Sequence, residues 1–282
     1  MRHPFIAGTA VLALTLAASA GQARTVGFST DTCDHDYSTP YDVDVTSAGL
    51  FFHRTGGVPA KVFLHDGALR VDGKDVAVSR ADAEVLRRYE DGVRKLVPQV
   101  AEIAREGIQM GFSAMTSVTL TFADGDQRAN MLEKLKRKQA QALREIDEGI
   151  GAGHWSSNRM TETVAGSVTD SIGELVGSVT SSAVTAALSG DSTKVAALQA
   201  RAESLDKTMD REMDKRSHAL EAKAKTICPR LNELAELQRG WKVRLDNGKP
   251  LELMTIKPKH DHDSDHDEDH DSDREDKKVA SF

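Results

Sequence analysis

The chain has 282 residues and a formal net charge of −7, from 44 acidic and 37 basic side chains. Ten of the acids and three of the bases lie between residues 260 and 282, so the rest of the chain is close to neutral and shows no basic excess for nucleic acid. Aromatic residues make up only 5% of the chain, which predicts an aliphatic, alanine-rich core.

The first 23 residues have the pattern of a secretory signal peptide. Arg2 is followed by an apolar run from Phe5 to Ala18, and the small residues Ala20 and Ala23 complete an A-x-A-like cleavage pattern. The run is shorter than the roughly 20 apolar residues that a membrane span needs. We therefore expect cleavage after Ala20 or Ala23, export to a periplasm, and no transmembrane segment afterwards. An uncleaved N-terminal anchor is the alternative.

Two regions predict β-structure, one near each end of the mature chain. In residues 40–78, short runs of alternating apolar residues are separated by Asp66-Gly67 and Asp72-Gly73. Asp-Gly supplies the positive φ angles that tight hairpin turns demand, so this region predicts a small antiparallel meander. Asn247-Gly248 predicts another hairpin, and we expect residues 241–256 to join the same sheet.

From residue 79 to about residue 239 the apolar positions recur at helical spacing. Ser79 is the expected N-cap of the first helix. Pro98 either kinks that helix or starts the next one, and the β-branched segment Thr116–Phe122 fits a strand or a helix. A later, heavily charged helix is expected to end near Pro229.

The segment Thr163–Leu188 is poor in charge and rich in Gly, Ser, Thr and Val. Gly173 and Gly177 leave part of its surface almost without side chains, and in lipid this four-residue spacing permits close helix packing. Asp170 and Glu174 interrupt its apolar character. We expect a packed helical hairpin, and a membrane-interacting segment is the alternative.

Cys33 and Cys228 are the two cysteines of the chain. In an exported protein two thiols most simply pair with each other, because an oxidising compartment favours the bond. The chain-entropy model assigns a loop of this length about 5 kcal/mol of stabilisation. A reactive pair is the alternative, although neither cysteine lies in a C-x-x-C arrangement.

No motif in the sequence assigns a reaction. The chain contains no G-x-S-x-G, H-E-x-x-H, P-loop or dinucleotide fingerprint. His154 follows a glycine-rich break and precedes Trp155, but no partner for it is evident. His53, His65 and His218 lie singly on predicted strands or on a charged helix face. Packed or exposed histidines are the expectation, and enzyme status stays undecided.

The C-terminal tail is dense in histidine and aspartate. Imidazole nitrogens suit zinc, copper or nickel, and neighbouring carboxylates attract cations. Repeated aspartates disfavour a helix and repel one another, so the tail is expected to be disordered and to bind metal adventitiously. No cofactor is required, and zinc, nickel or copper are the candidate ions. The candidate ligands are His260, His262, His266 and His270.

Several features occur in a characteristic order along the chain. A signal peptide and an early lone cysteine precede "DGALRVDGKDVAVSRADAEVLRRYEDGVRKLVPQV", the central "TDSIGELVG" and a late cysteine before "PRL". This order resembles the YggN-like family of exported bacterial proteins over about residues 30–240. The resemblance implies a Gram-negative periplasm and pairing of Cys33 with Cys228. The His/Asp tail extends beyond the family's pattern.

These observations predict a mostly helical α+β protein, with a small antiparallel β-meander and elongated antiparallel helices. The expected divisions are a signal peptide at 1–23, one domain at 24–256 and a disordered tail at 257–282. We expect a non-enzymatic role through contacts with an unidentified protein or envelope partner. The alternative is divalent-metal binding or buffering through the tail.

Overall fold

The structure, a computed structural model, describes residues 26–28, 33, 35–156 and 166–258. The predicted signal peptide and the tail beyond Pro258 lie outside the described residues, so the predicted division of the chain stays a prediction. The helices are α1 (Arg80–Phe122), α2 (Gly125–Glu148), a 3-10 turn (Ile150–Ala152), α3 (Gly166–Leu188) and α4 (Ser192–Gly240). The strands are β1 (Val26–Phe28), β2 (His35–Thr39), β3 (Asp42–Thr46), β4 (Gly49–His53), β5 (Lys61–His65), β6 (Ala68–Val71), β7 (Lys74–Val76), β8 (His154–Trp155) and β9 (Thr255–Pro258).

Six strands form one antiparallel sheet in the order β7-β6-β5-β4-β3-β8. The turns from β5 to β6 and from β6 to β7 lie at Asp66-Gly67 and Asp72-Gly73, where all four φ angles fall between 44° and 84°. Two successive positive φ angles match the right-handed twist of the flanking strands. The predicted meander is confirmed.

The prediction that residues 241–256 add to the meander is corrected by the sheet topology. β9 pairs with β2 in a separate three-stranded sheet of order β1-β2-β9. Arg244 and Pro250 form an isolated bridge across the predicted hairpin. Leu251 and Leu253 are fully buried in the main core. Core packing, more than strand pairing, therefore holds this segment in place.

The edge of the meander is completed by β8, which the sequence does not predict. Val43 pairs with Trp155 and Asp44 pairs with His154 across β3 and β8. Gly153 precedes β8 with φ of 89°, and a Cβ there would lie 2.5 Å from the carbonyl oxygen of Val45. The glycine-rich break is therefore the turn that places β8 against the sheet edge, where a side chain would not fit.

α1 is a continuous helix of 43 residues. The Ser79 side chain accepts a hydrogen bond from the Asp82 amide at 3.0 Å, as expected of an N-cap. The helix runs through Pro98, so no new helix starts there. The segment Thr116–Phe122 is helical. The hydroxyl of fully buried Thr119 donates to the carbonyl oxygen of Met115 at 2.9 Å, so this buried polar group has its hydrogen-bond partner within the helix.

α4 is a continuous helix of 49 residues, so the expected end near Pro229 is wrong. Proline lacks the N–H for one i→i−4 hydrogen bond and normally breaks a helix interior. Here Ile227 and Leu231 flank it with 0% and 7% exposure in the main core. Cys228 is bonded to Cys33 at the same place. Burial and the cross-link together hold the helix through the proline.

Two apolar clusters stabilise the arrangement. The main core joins both sheets to the first half of α1 and the last part of α4, with Leu50, Leu64, Leu86 and Ile227 almost wholly excluded from solvent. A smaller cluster lies where α3 meets α1 and α2. Its buried members are Phe112, Met115, Leu135, Ala142 and Leu175. The predicted fold class, mixed α+β and mostly helical, is confirmed.

Candidate functional site

The predicted metal-ligating histidines follow Pro258, the last described residue. Pro258 itself pairs with His35 across β9 and β2. Their place in the structure is therefore not described, and the metal role stays a prediction. The four residues concerned are His260, His262, His266 and His270.

The two predicted disulfide partners come together in the structure. The Sγ atoms of Cys33 and Cys228 are bonded, and their Cα atoms are 5.6 Å apart, within the range of native disulfides. Cys33 is 4% exposed and lies two residues before β2, whereas Cys228 lies on α4. The pair is thus disulfide-capable and connects the N-terminal sheet to the last helix, 195 residues away.

Two aspartates and two histidines meet on the outer face of the meander. Asp42 and Asp44 alternate along β3 with Val43, which points into the core. His154 Nδ1 lies 2.7 Å from Asp44 Oδ1. The ring nitrogens of His53 lie 3.8 Å from Asp42 Oδ2 and 3.7 Å from Asp44 Oδ2. We call these four side chains the His/Asp cluster.

The His/Asp cluster links β8 to the sheet. Within the described ranges, no group of three or more His, Cys, Asp or Glu side chains is placed so that it could hold a metal ion. The sequence shows no evident partner for His154. The structure corrects this reading, because Asp44 is its partner. The "DVDV" alternation predicts where the aspartates point. It cannot predict a histidine that pairs from 110 residues away.

Glu90 is a buried carboxylate that ties α1 to the turns of the meander. Its Oε2 accepts from the Asp66 amide at 2.9 Å, and its Oε1 accepts from Arg94 Nη2 at 2.6 Å. Arg94 also donates to the carbonyl oxygen of Thr46, the last residue of β3 before the turn to β4. Burial raises the pKa of Glu90, but hydrogen bonds from Arg94, the Asp66 amide and His65 outweigh it and hold the pKa below its usual value.

α3 packs by one face and leaves another open. Ser171 and Leu175 are buried at 3% and 7% exposure, and Leu175 belongs to the smaller core. Aliphatic side chains are also exposed on α3 at multiples of four residues. Ile172 and Val176 are neighbours one turn apart, as are Val184 and Leu188, and the row winds around the helix from the first pair to the second. We call this row the α3 stripe. Its members are Ile172, Val176, Val184 and Leu188, with exposures of 48%, 57%, 50% and 83%.

The surface around the α3 stripe has two further properties. A Cβ added at Gly173 or Gly177 would meet nothing within 4 Å, so the helix backbone there is open to close approach. Asp170 and Glu174 are the charged residues of α3, which carries no lysine or arginine. Within the described part of the chain, no helix is both long and apolar enough to cross a membrane.

Comparison with known proteins identifies the family of this chain. A family model described as "Protein of unknown function (DUF2884)" matches residues 35–254, and the chain belongs to this family. No curated protein and no solved structure matches the chain. The matched range includes the meander, Glu90 and the α3 stripe, whereas the His/Asp tail lies outside it.

Proposed function

We propose that this member of the DUF2884 family is an exported periplasmic protein that binds another protein through the α3 stripe and catalyses no reaction. Export is supported by the signal-peptide pattern of residues 1–23 and by the resemblance to the YggN-like family. It is further supported by the disulfide-capable pair, because such bonds persist in oxidising compartments.

The observation that carries the binding role is the exposure of the α3 stripe. Its four aliphatic side chains are each about half or more accessible to solvent, on a helix whose other face is packed. Single exposed aliphatic residues are ordinary on protein surfaces, but four of them in two neighbouring pairs on one helix form a larger apolar surface, which indicates an interaction site. A partner that covers the stripe would remove this apolar area from water, which stabilises the complex.

The charges of α3 favour a protein partner over the other candidate occupants. Anionic membrane surfaces attract lysine and arginine, whereas α3 offers only Asp170 and Glu174. Glu174 is already paired with Lys134 of α2 at 3.0 Å, and a second copy of α3 repeats Asp170 without a base to match it. The complementary surface is therefore an apolar groove with a basic side chain for Asp170, and Gly173 and Gly177 allow its backbone to approach closely.

Site-specific photo-crosslinking in the periplasm tests this assignment. A photoreactive residue at Val176 or at Val184 is expected to capture the same protein, whereas one at exposed Glu203 on α4 is not. The captured protein, once identified and purified, is expected to bind the full chain in calorimetric titration. Capture of lipid or of a second copy, or equal capture from Glu203, would overturn the proposal.

Two neighbouring substitutions separate binding from folding. Val176→Asp changes an exposed side chain, so we expect at least a tenfold loss of partner affinity with unfolding free energy within about 0.5 kcal/mol of wild type. Leu175→Ala removes a buried side chain, so we expect about 2–3 kcal/mol of destabilisation. Urea unfolding and titration measure both. Unchanged partner affinity in Val176→Asp would count against the stripe.

A second proposal concerns the C-terminal tail. Four histidines among repeated aspartates supply nitrogen and oxygen ligands for zinc, nickel or copper. The described residues offer no comparable group of ligands, so metal bound by the full chain is assigned to the tail. Such binding would give the protein a metal-buffering capacity in addition to partner binding.

A further inference from the structure

The main core contains a cavity of about 120 Å³ between the two sheets and the long helices. Phe52 forms part of its wall from the meander, Val93 and Val100 from α1, and Leu231 from α4. Leu253, in the segment before β9, forms part of another side. The cavity lies apart from the α3 stripe, since none of the stripe residues lines it.

A cavity of this size is unusual in a folded protein. Protein interiors are close-packed, and voids larger than a water molecule are few. The volume would hold several waters, but the lining is almost entirely hydrocarbon, and a buried water needs two to four polar partners. Apolar cavities of about 150 Å³ stay dry and admit small apolar molecules such as benzene.

Trp155 contributes to the wall of the cavity. Its side chain lines the cavity, and β8 holds its backbone against Val43 of β3. Its Nε1 atom is buried out of reach of solvent. The atoms that the cavity presents to an occupant are therefore almost entirely carbon.

The wall near Trp155 also approaches the protein surface. Trp155, Leu96 and Val97 are half-buried, whereas Val93, Val100 and Leu231 are at most 8% exposed. Together with Ser38 and Thr39 of β2, which are also half-buried, these residues form the part of the wall nearest to solvent, where a molecule can enter without opening the centre of the core.

We propose that this cavity binds a small apolar molecule, or the apolar end of an amphipathic one. The volume limits the inserted part to about six non-hydrogen atoms, by comparison with benzene in a slightly larger cavity. The occupant is uncharged where it enters, because the lining supplies no ionised side chain.

Methylcyclopentane and cyclopentanone test the proposal, because they match in size and differ in the carbonyl oxygen. Calorimetric titration of the full mature chain is expected to show one saturable site for methylcyclopentane. Cyclopentanone is expected to bind at least about 2-fold more weakly, because the apolar lining offers no donor to replace the water on its carbonyl oxygen. Tighter binding of cyclopentanone, or no saturable binding of either probe, would overturn the proposal.

A cavity-filling substitution tests the location. Val97→Phe places a larger side chain at the half-buried wall and is expected to abolish binding of both probes. Val85→Phe enlarges another half-buried valine of α1 that does not line the cavity, and it is expected to bind normally. Equal binding by the two variants would overturn the location.

A measurement on the wild-type chain covers the case in which Val97→Phe fails to fold. Methylcyclopentane is expected to shift the methyl resonances of Val93, Val100 and Leu231 in NMR spectra. Saturable shifts confined to other residues, or no saturable shifts, would show that the cavity is not a binding site.

Discussion

At the scale of single residues, Glu90 shows how the fold uses a buried charge. It lies on α1 and is 5% exposed. Through the Asp66 amide it holds the turn between β5 and β6, and through Arg94 it reaches the last residue of β3. Removing one partner of such a network leaves the others buried without their hydrogen bonds, which is more costly than losing an exposed ion pair.

Glu90→Gln is therefore expected to destabilise the protein at pH 7 by about 1.5–3 kcal/mol, measured by urea unfolding. Because the pKa of Glu90 is lowered in the folded state, its contribution is complete above the unfolded pKa of about 4.3. The contribution is lost as the pH falls through the lower folded pKa. The difference between variant and wild type should accordingly shrink below about pH 4.

Glu84→Gln provides the matched control for this prediction. Glu84 lies on the same helix and pairs with Arg87, but its side chain is 65% exposed. Its replacement is expected to change the unfolding free energy by no more than about 0.5 kcal/mol. Equal effects of the two substitutions, or an effect of Glu90→Gln that does not vary with pH, would contradict the role assigned to Glu90.

Sequence patterns alone do not reveal this role. Glu90 and Arg94 are four residues apart on a helix, which normally indicates a solvated surface pair. Their burial depends on the approach of Asp66 and Thr46, and these come from other parts of the chain. Helical spacing predicts that the two side chains meet, whereas only tertiary packing places them out of water.

At the scale of secondary-structure elements, the bond between Cys33 and Cys228 connects β2 to α4 across most of the domain. The partners are 195 residues apart, so the bond greatly restricts the unfolded chain. It also lies next to Pro229, where α4 continues without one backbone hydrogen bond. The cross-link thus acts where the sheet and the weakest part of the helix meet.

Protein purified from the periplasm is expected to show no free thiol under denaturing conditions and no intermolecular dimer. Replacing both cysteines by serine is expected to lower the unfolding free energy by up to about 5 kcal/mol in the chain-entropy model. Thiol alkylation with mass spectrometry and urea unfolding measure the two effects. Two alkylatable cysteines per chain would refute the structural disulfide.

At the scale of the whole molecule, the sequence predicts separate roles for the folded body and the C-terminal tail. The body buries aliphatic side chains in two clusters, and these supply its stability. The tail is rich in charged residues and almost lacks apolar ones, so its composition predicts no contribution to a core. Folding and metal binding should therefore respond independently to truncation.

Deleting residues 259–282 is expected to leave the melting temperature nearly unchanged and to remove most zinc, nickel or copper binding. Binding by the full chain should weaken below about pH 6, because histidine protonates and loses its donor lone pair. Calorimetric titration of both chains measures this. Equal metal affinity in the full and the truncated chain would place the metal site in the folded body. Titration of His154→Gln would then show whether the His/Asp cluster binds the metal.

Local patterns in the sequence by themselves determined several features of this protein. They predicted the turns at Asp66-Gly67 and Asp72-Gly73 and the helix start at Ser79. The pairing of Cys33 with Cys228 was predicted on another ground, because these are the two cysteines of a chain expected to be exported. Turns and helix starts depend on φ angles and hydrogen bonds among residues a few positions apart, so neighbouring residues suffice to predict them. The mostly helical α+β fold class follows from the same local periodicities.

Tertiary structure alone decided which distant segments meet. It paired β8 with β3 and β9 with β2, and it kept α4 helical through Pro229. It also placed His154 beside Asp44 and left the α3 stripe open. A strand edge or an apolar helix face can be covered by many segments of similar composition. Which segment covers it depends on the packing of the entire core, because burial and pairing free energies are realised only when the elements assemble.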